Sequence, residues 1–432
     1  MTINAQDSSL LSGLFADPDM ARLFSDSATV RAMMIVQGTL AKVQGEAGVI
    51  PQTAGAFLHR AALEVQLDPS GLAGGTARNG VCVPSLVTAF RKALEAPEHA
   101  QYLHWGATSQ DVIDTGLALR LRQALALIEG RLDGALAGLA DLAQAHAETP
   151  MMARTYGQPA TVTTFGAHVA IWGEGLLAVR AELPAIRDGV CQVTLSGAAG
   201  TLAAMGPEGP ALRAALAAAL GLRDPEASPH AERAGVRALA SWCQRVLQAV
   251  DKAAVDLLLW TRDGTVTLGG GGASSTMPQK QNPVGPSVMR ALAGHGAGLA
   301  ATLQGATPAE ARDGAAWFTE WLSLPPLVAA TGKALSLLGE AEVAPDLTAL
   351  RKEAEDPSGM IHAEAVSFRL AQDIPREAAQ AQVKAWVAEV RAEGGSLLTR
   401  AGLDAAEFAP ERQWGEAPAL ARRFAAKVRG HG

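Results

Sequence analysis

The 432-residue sequence predicts an all-α protein. Hydrophobic residues make up 48% of the chain but aromatic residues only 4%, a composition that favours close-packed Ala- and Leu-rich helices over a β-sandwich. Apolar residues recur at alternating spacings of four and three from Leu121 to Leu142, which is the period of a packed helix. No segment shows sustained alternation of apolar and polar residues between hairpin turns, which also favours an all-α protein.

The helices follow from these patterns in chain order. The first 110 residues predict shorter helices separated by turns, as in "ATVRAMMIVQGTLAKVQGEAGVIP". One long helix is expected between Thr115 and Pro150, and a second covers the proline-free run 231–263. Shorter helices are expected at about 160–182, 286–304 and 316–341, the last bent at Pro325 and Pro326. Together they predict a five-helix bundle over 112–355, between an N-terminal helical domain (1–111) and a C-terminal helical domain (356–432).

Charge and cysteine content exclude several classes of protein. The formal net charge is −7, and no basic run suits nucleic acid or an anionic membrane. The N-terminus does not resemble a signal peptide, and uncharged stretches such as 155–173 are too interrupted to span a membrane. Cys82, Cys191 and Cys243 lie far apart, which indicates reduced thiols and a cytoplasmic protein. Helices this long and apolar also predict a homo-oligomer.

Three polar stretches interrupt the helical background. "HWGATSQDVIDTG" at 104–116 contains Thr108, Ser109 and Asp111, which either cap the next helix or bind a ligand. "RTYGQPATVTT" at 154–164 stands at a predicted helix start, and the Gly-rich "TLGGGGASSTMPQKQNPVGP" at 267–286 is either a linker or a loop that moves. No P-loop, GxGxxG, HExxH or GxSxG motif is present, and the scattered histidines make a metal site unlikely.

Taken together, these stretches resemble the fumarase/aspartase superfamily. "SSTMPQKQNP" at 274–283 matches the superfamily signature at its defining positions, and "HWGATSQDVIDT" and "RTYGQPA" match the other two shared regions. Within the superfamily the chain is most similar to bacterial 3-carboxy-cis,cis-muconate cycloisomerases and then to adenylosuccinate lyases. The resemblance implies an all-α, three-domain subunit in a homotetramer with a twenty-helix core. It also implies active sites composed of three subunits, a lid hinged at the glycines, a small polycarboxylate substrate, and no metal or cofactor.

The resemblance also assigns roles to individual residues. Ser274 corresponds to the proton-carrying serine, and Lys280 and Asn282 to groups that hold a substrate carboxylate. The remaining implied site residues are His104, Thr108, Ser109, Tyr156, Gln158, Ser275 and Met277. Arg312 is either a further carboxylate partner or part of a surface ion pair with Glu310 or Asp313. His168, Trp172 and His362 are interpreted as packing residues.

Two departures from adenylosuccinate lyases bear on the substrate. Those enzymes typically have a histidine where this chain has Tyr156, and an arginine where it has Gln281. Both differences favour a small tricarboxylate over a nucleotide, although Gln279 and Gln281 also differ from the usual cycloisomerase sequence. Three hypotheses remain open: a cycloisomerase, another lyase acting on a substituted succinate, and a non-catalytic helical scaffold.

Overall fold

The computed structural model describes residues 4–270, 272–273, 276–277 and 279–430, and it confirms the all-α class. The α-helices of this described part are α1 (Ser12–Phe15), α2 (Pro18–Phe24), α3 (Asp26–Glu46), α4 (Gln52–Glu64), α5 (Ala73–Asn79), α6 (Val83–Leu94), α7 (Pro97–Ala100), α8 (Ser109–Ala145), α9 (Phe165–Val190), α10 (Gly209–Leu220), α11 (Ala234–Asp263), α12 (Val284–Gly305), α13 (Gly314–Gly339), α14 (Leu347–Glu355), α15 (Ala363–Leu370), α16 (Arg376–Glu393), α17 (Leu397–Arg400), α18 (Pro410–Gln413) and α19 (Ala417–Gly430).

Short antiparallel strand pairs connect some of these helices. The strands are β1 (Pro150–Thr155), β2 (Gln158–Thr164), β3 (Val266–Leu268), β4 (Gly272–Ala273), β5 (Gln281–Asn282) and β6 (Val343–Pro345). They pair as β1–β2, β3–β6 and β4–β5. Each of these sheets has only two short strands, which agrees with the absence of sustained strand alternation in the sequence.

The five long helices predicted from periodicity are present as α8, α9, α11, α12 and α13. Two boundaries differ from the prediction. The helix α8 begins at Ser109, inside the first polar stretch, because the Asp111 carboxylate caps its first turn. The helix α9 begins at Phe165, because 158–164 belongs to β2. The helix α13 passes through Pro325 and Pro326.

Small residues let the N-terminal helices α3 and α4 pack closely. A Cβ on Gly38 would overlap that of Ala62, and one on Gly45 would lie 3.2 Å from the Cα of Gly55. The helix α3 also buries two amide side chains, Gln37 and Gln44, each about 1% exposed. A tight helix pair thus fixes the position of polar groups that reach the candidate site.

The chain divides into two compact units. The first comprises Met1–Arg131, Val179–Gln248 and Ala291–Ser336, and the second comprises Leu132–Ala178, Ala249–Arg290 and Leu337–Gly432. The boundaries fall within the five long helices, so each of these helices belongs to both units. The sequential division at 111 and 355 stays a prediction.

Each unit has its own apolar core. The N-terminal core of the first unit centres on Met33, Leu58, Leu86 and Phe90, against which Trp317 packs. In the second unit, the indole of Trp172 in α9 packs against Trp260 at 5.1 Å between ring centroids and donates to Asp256 at 2.8 Å. The Phe424 ring of α19 lies over Gly173, where a Cβ would overlap it.

The helix α13 is long and apolar enough to cross a bilayer, and 56% of its most apolar window is buried within the protein. A buried core helix has the same length and composition. Glu320 of this helix is buried and forms an ion pair with Arg233. Charged groups inside a folded protein are usually paired in this way.

Candidate functional site

The start of α8 is organised by one buried carboxylate, that of Asp111, which is 2% exposed. It accepts hydrogen bonds from the backbone N–H of Thr108 (2.9 Å), Ser196 (2.9 Å) and Gly197 (3.0 Å). It also accepts one from Nε2 of His230, at 2.8 Å. Asp111 therefore caps the helix and at the same time fastens the loop 195–202 to it.

This arrangement leaves the Thr108 and Ser109 side chains free. Within the described residues neither hydroxyl makes a hydrogen bond, and both side chains are half-buried. They lie at the N-terminus of a 37-residue helix, where the helix dipole and the first N–H groups favour a negative charge. The capping interpretation is correct for Asp111, and it leaves two hydroxyl donors available for an anion.

A buried ion-pair network holds the next turn of α8. Nη1 of Arg233 lies 2.7 Å from Asp114, and its Nε donates to Glu320 at 2.8 Å. The indole N–H of Trp317 donates to the same Asp114 at 3.1 Å. Burial opposes the charge of Arg233, but the carboxylates of Asp114 and Glu320 outweigh it and raise the pKa of the guanidinium. The charged form is thus held firmly next to the loop that carries His230.

Sequence reasoning missed His230 and Ser196. His230 is 3% exposed and Ser196 1% exposed, and each donates to the Oδ1 atom of Asp111. Their other polar atoms, Nδ1 of His230 and Oγ of Ser196, have no partner in the described part of the chain. A buried histidine 119 residues from its carboxylate partner gives no local pattern in the sequence.

His104 lies in the same unit, five residues before α8. Its backbone is in the left-handed region, with φ of 66°, and its Nδ1 lies 3.1 Å from the amide nitrogen of Gln37. Burial lowers the pKa of His104, with Arg91 adding to this effect and Asp111 opposing it. The imidazole is therefore neutral near pH 7, which suits a hydrogen-bond donor more than a fixed positive charge.

Arg312 is bound to the loop rather than to a neighbouring carboxylate. Its backbone φ is 58°, and Nη2 donates to the carbonyl oxygen of Ala198. Asp313 instead accepts hydrogen bonds from the backbone N–H of Ala309, ahead of α13, and from that of Ala315 in the first turn of α13. Among the described residues Arg312 forms no ion pair, so the surface pairing with Glu310 or Asp313 is wrong, and its Nη1 is buried without a partner. The first unit thus brings Arg312, His230 and the start of α8 together around one loop.

The second polar stretch forms a hairpin in the second unit, not a helix start. Tyr156 and Gly157 form the two-residue turn between β1 and β2, with φ of 54° and 75°. Positive φ at both positions matches the twist of a tight hairpin. Tyr156 is fully exposed and Gln158, the first residue of β2, is also exposed. These two side chains therefore project from the hairpin tip of the isolated subunit.

The third stretch forms the strand pair β4–β5 in the second unit. Gly272 pairs with Asn282 and Ala273 with Gln281. Lys280 is exposed and forms no ion pair with any residue that the structure describes, while its N–H donates to the carbonyl oxygen of Met277 at 3.0 Å. Asn282 is half-buried and Met277 is exposed. The two signature serines, Ser274 and Ser275, lie outside the described residues.

The three side chains interpreted as packing residues lie in apolar surroundings. Trp172 is 1% exposed. His168 contacts the Trp260 ring edge-on at 5.7 Å, and His362 contacts Phe408 at 5.5 Å. Burial lowers the pKa of both histidines, so both are neutral near pH 7. The structure supports the packing role.

Comparison with known proteins points to the same superfamily. A lyase family model matches residues 17–298. A 3-carboxy-cis,cis-muconate cycloisomerase of Pseudomonas aeruginosa is 38% identical over 86% of this chain and 83% of its own length. A nitrosuccinate lyase of Streptomyces davaonensis is 34% identical over 93% of this chain and 85% of its own length.

Solved structures agree with these relatives. The crystal structure of a 3-carboxy-cis,cis-muconate lactonizing enzyme from Pseudomonas putida matches with a TM-score of 0.91 and 32% identity. The match covers 98% of this chain and 99% of that one. The chain therefore belongs to the lyase family of the fumarase/aspartase superfamily, and it is an enzyme.

Proposed function

We propose that the protein is a cycloisomerase that lactonises 3-carboxy-cis,cis-muconate to 4-carboxymuconolactone. The observation that carries the proposal is a set of anion-binding groups that lack a charged partner among the described residues, most of them at positions that the superfamily resemblance assigns and Arg312 as a further candidate. Thr108 and Ser109 offer free hydroxyls at a helix N-terminus, and Lys280 and Arg312 are cations without an ion pair among the described residues. A substrate with three carboxylates supplies the missing negative charge.

The reaction forms one C–O bond and one C–H bond and consumes the π bond of one alkene. A terminal carboxylate attacks the alkene carbon that bears the third carboxyl group, and negative charge develops beside the other terminal carboxylate. In this proposal Lys280, Asn282, Thr108 and Ser109 hold that carboxylate, and Ser274 delivers a proton to the adjacent carbon. Fixed donors aimed at the growing charge lower the barrier without a metal.

The exposed tyrosine at the hairpin tip fits this reaction better than a nucleotide lyase. Expelling an amine calls for a proton donor, whereas forming a lactone from a carboxylate does not. Tyr156 then orients the substrate or excludes water, together with Gln158, Ser275 and Met277. We expect Tyr156→Phe to lower turnover only mildly, which steady-state kinetics on the muconate would measure.

A second candidate has one specific observation in its favour. The nitrosuccinate lyase relative covers more of this chain, 93%, than the cycloisomerase of Pseudomonas aeruginosa does. A lyase acting on a substituted succinate passes through the same carboxylate-stabilised carbanion and would use the same groups, with Ser274 removing a proton instead of delivering one. The products distinguish the two reactions, because only the lyase splits its substrate into fumarate and a leaving group.

We also propose a cytoplasmic homotetramer with composite active sites. The long helices carry exposed apolar side chains that a partner subunit would cover, including Leu127 (36% exposed), Ile171 (56%), Leu259 (40%) and Leu322 (77%). The cysteines Cys82, Cys191 and Cys243 are all free thiols, as in a reducing compartment. Sedimentation equilibrium should give about four times the chain mass of 44.5 kDa.

Subunit mixing tests the composite site. Ser274→Ala subunits mixed with Thr108→Val subunits should recover part of the activity that both parents lack. In a mixed oligomer, some active sites would combine an intact Ser274 from one subunit with an intact Thr108 from another. Verified subunit exchange without any recovery would place each site within one chain.

Turnover in D2O tests the chemistry. The lactone should carry one deuterium on the carbon next to the side-chain carboxylate, as read by proton NMR of the product. Ser274→Ala should lower kcat by about 10²- to 10⁴-fold with the fold intact by circular dichroism. A variant within tenfold of the wild type would remove Ser274 from the proton-transfer role.

A further inference from the structure

Side chains of the first unit hold the backbone on both sides of His104. On one side, Nη2 of Arg91 in α6 donates to the carbonyl oxygen of Leu103 at 2.9 Å. On the other, the amide nitrogen of Gln44 in α3 donates to the carbonyl oxygen of Trp105 at 2.8 Å. A left-handed backbone is costly for a residue other than glycine and persists where the surroundings enforce it. The two hydrogen bonds to the carbonyl oxygens of Leu103 and Trp105 hold the backbone of His104 in this conformation.

A third contact reaches the imidazole itself. Gln37 lies two turns before Gln44 in α3 and is equally buried, and its Nε2 amide donates to Nδ1 of His104 at 3.1 Å. A ring nitrogen that accepts a hydrogen bond carries a lone pair, so the proton of the neutral ring is on Nε2. Nε2 makes no hydrogen bond within the described part of the chain, and the ring is half-buried.

We propose that Gln37 is a positioning residue that holds His104 as the neutral tautomer with its proton on Nε2. His104 then presents a hydrogen-bond donor, as do the hydroxyl groups of Thr108 and Ser109, which follow it closely in the sequence. That use of the donor rests on the proposed function, since its acceptor would be a substrate carboxylate. The tautomer itself does not depend on the substrate.

The charged groups around the ring agree with this assignment. Arg91 from α6 disfavours an imidazolium, Asp111 from α8 favours it, and α3 contributes only the neutral amide of Gln37. Burial outweighs the carboxylate and keeps the ring neutral. A glutamate in place of Gln37 would reverse the preference, because its carboxylate accepts a hydrogen bond from Nδ1–H and stabilises the positively charged ring.

Imidazole 15N NMR of the substrate-free enzyme tests the proposal, with His104 assigned by its absence from the His104→Gln spectrum. The wild type should show a protonated Nε2 and an unprotonated Nδ1. Gln37→Glu should raise the titration midpoint of His104 by at least about one pH unit, and Gln37→Leu should yield a mixture of tautomers. Gln44→Leu is the matched control, and it should leave the tautomer unchanged.

A proton on Nδ1 in the wild type would overturn the proposal without any variant, and so would an unchanged His104 spectrum in a folded Gln37→Glu or Gln37→Leu protein. Because the spectra are recorded without substrate, they stand apart from the proposed reaction. An enzyme that shows the expected tautomer but leaves the muconate unchanged would contradict the proposed function alone.

Discussion

At the scale of single residues, the structure distinguishes helix capping from ligand binding among the polar residues of 104–116. Asp111 uses its carboxylate to bind four N–H groups, whereas the hydroxyls of Thr108 and Ser109 make no hydrogen bond to any residue that the structure describes. The sequence showed which residue types were present, but His230 and Ser196 reach Asp111 from distant parts of the chain. Contacts of this kind depend on the tertiary fold, so no local pattern reveals them.

Asp111→Asn should destabilise the protein and its site. The asparagine amide replaces one acceptor oxygen with a donor that faces buried N–H groups, and an unsatisfied buried donor costs about 1–3 kcal/mol. We expect urea denaturation to show a loss of that size and activity to fall at least tenfold. Asp313→Asn is the matched control, because Asp313 also accepts backbone N–H groups but is only half-buried, and its loss should be clearly smaller. Equal losses in the two variants would contradict the organising role of Asp111.

At the scale of elements, the long helices were predictable and the hairpin was not. A 3.6-residue period sustained over several turns is a strong local signal, and α8, α11 and α13 lie where it placed them. The β1–β2 hairpin carries short, irregular strands with a bulge between Met152 and Arg154. Its turn places Tyr156, which is not a typical left-handed residue, ahead of Gly157, so the sequence lacked the usual Asn-Gly signal.

Helix packing in the second unit allows a paired test on α9. Gly173→Ala should destabilise the protein by about 1–3 kcal/mol, because the new Cβ would overlap the buried Phe424 ring. Gly175→Ala on the same helix should cost nothing or stabilise by up to about 1 kcal/mol, since its Cβ would lie 3.5 Å from that of Ala249. Chemical denaturation of both variants measures the difference. A Gly173→Ala protein as stable as Gly175→Ala would refute the close packing of α9 against α19.

At the scale of the whole molecule, burial of neutral histidines links stability to pH. Burial lowers the pKa of His104, His146, His168 and His362 below the ordinary value of 6.5. The unfolded chain therefore binds more protons than the folded chain in the range below pH 6.5. Stability conferred by these groups is fully present above that pH and is lost as the pH falls.

The free energy of unfolding should accordingly decrease between pH 7.5 and pH 5.5. Urea denaturation at a fixed protein concentration measures it, because an oligomer's stability depends on concentration. His168→Asn, which removes one buried imidazole next to Trp260, should make the pH dependence shallower. A stability that rises on acidification over this range would contradict the neutral, buried state of these rings.

The central claim, that the enzyme lactonises a tricarboxylic muconate, is tested most directly by ultraviolet absorbance. Purified enzyme mixed with 3-carboxy-cis,cis-muconate should remove the absorbance of the conjugated diene, without added metal or cofactor, and adenylosuccinate should stay intact. A fumarate-releasing lyase would leave the muconate absorbance unchanged and generate fumarate absorbance from a substituted succinate, whereas a non-catalytic scaffold would change neither. Unchanged muconate absorbance with efficient release of fumarate from adenylosuccinate or another substituted succinate would contradict the claim.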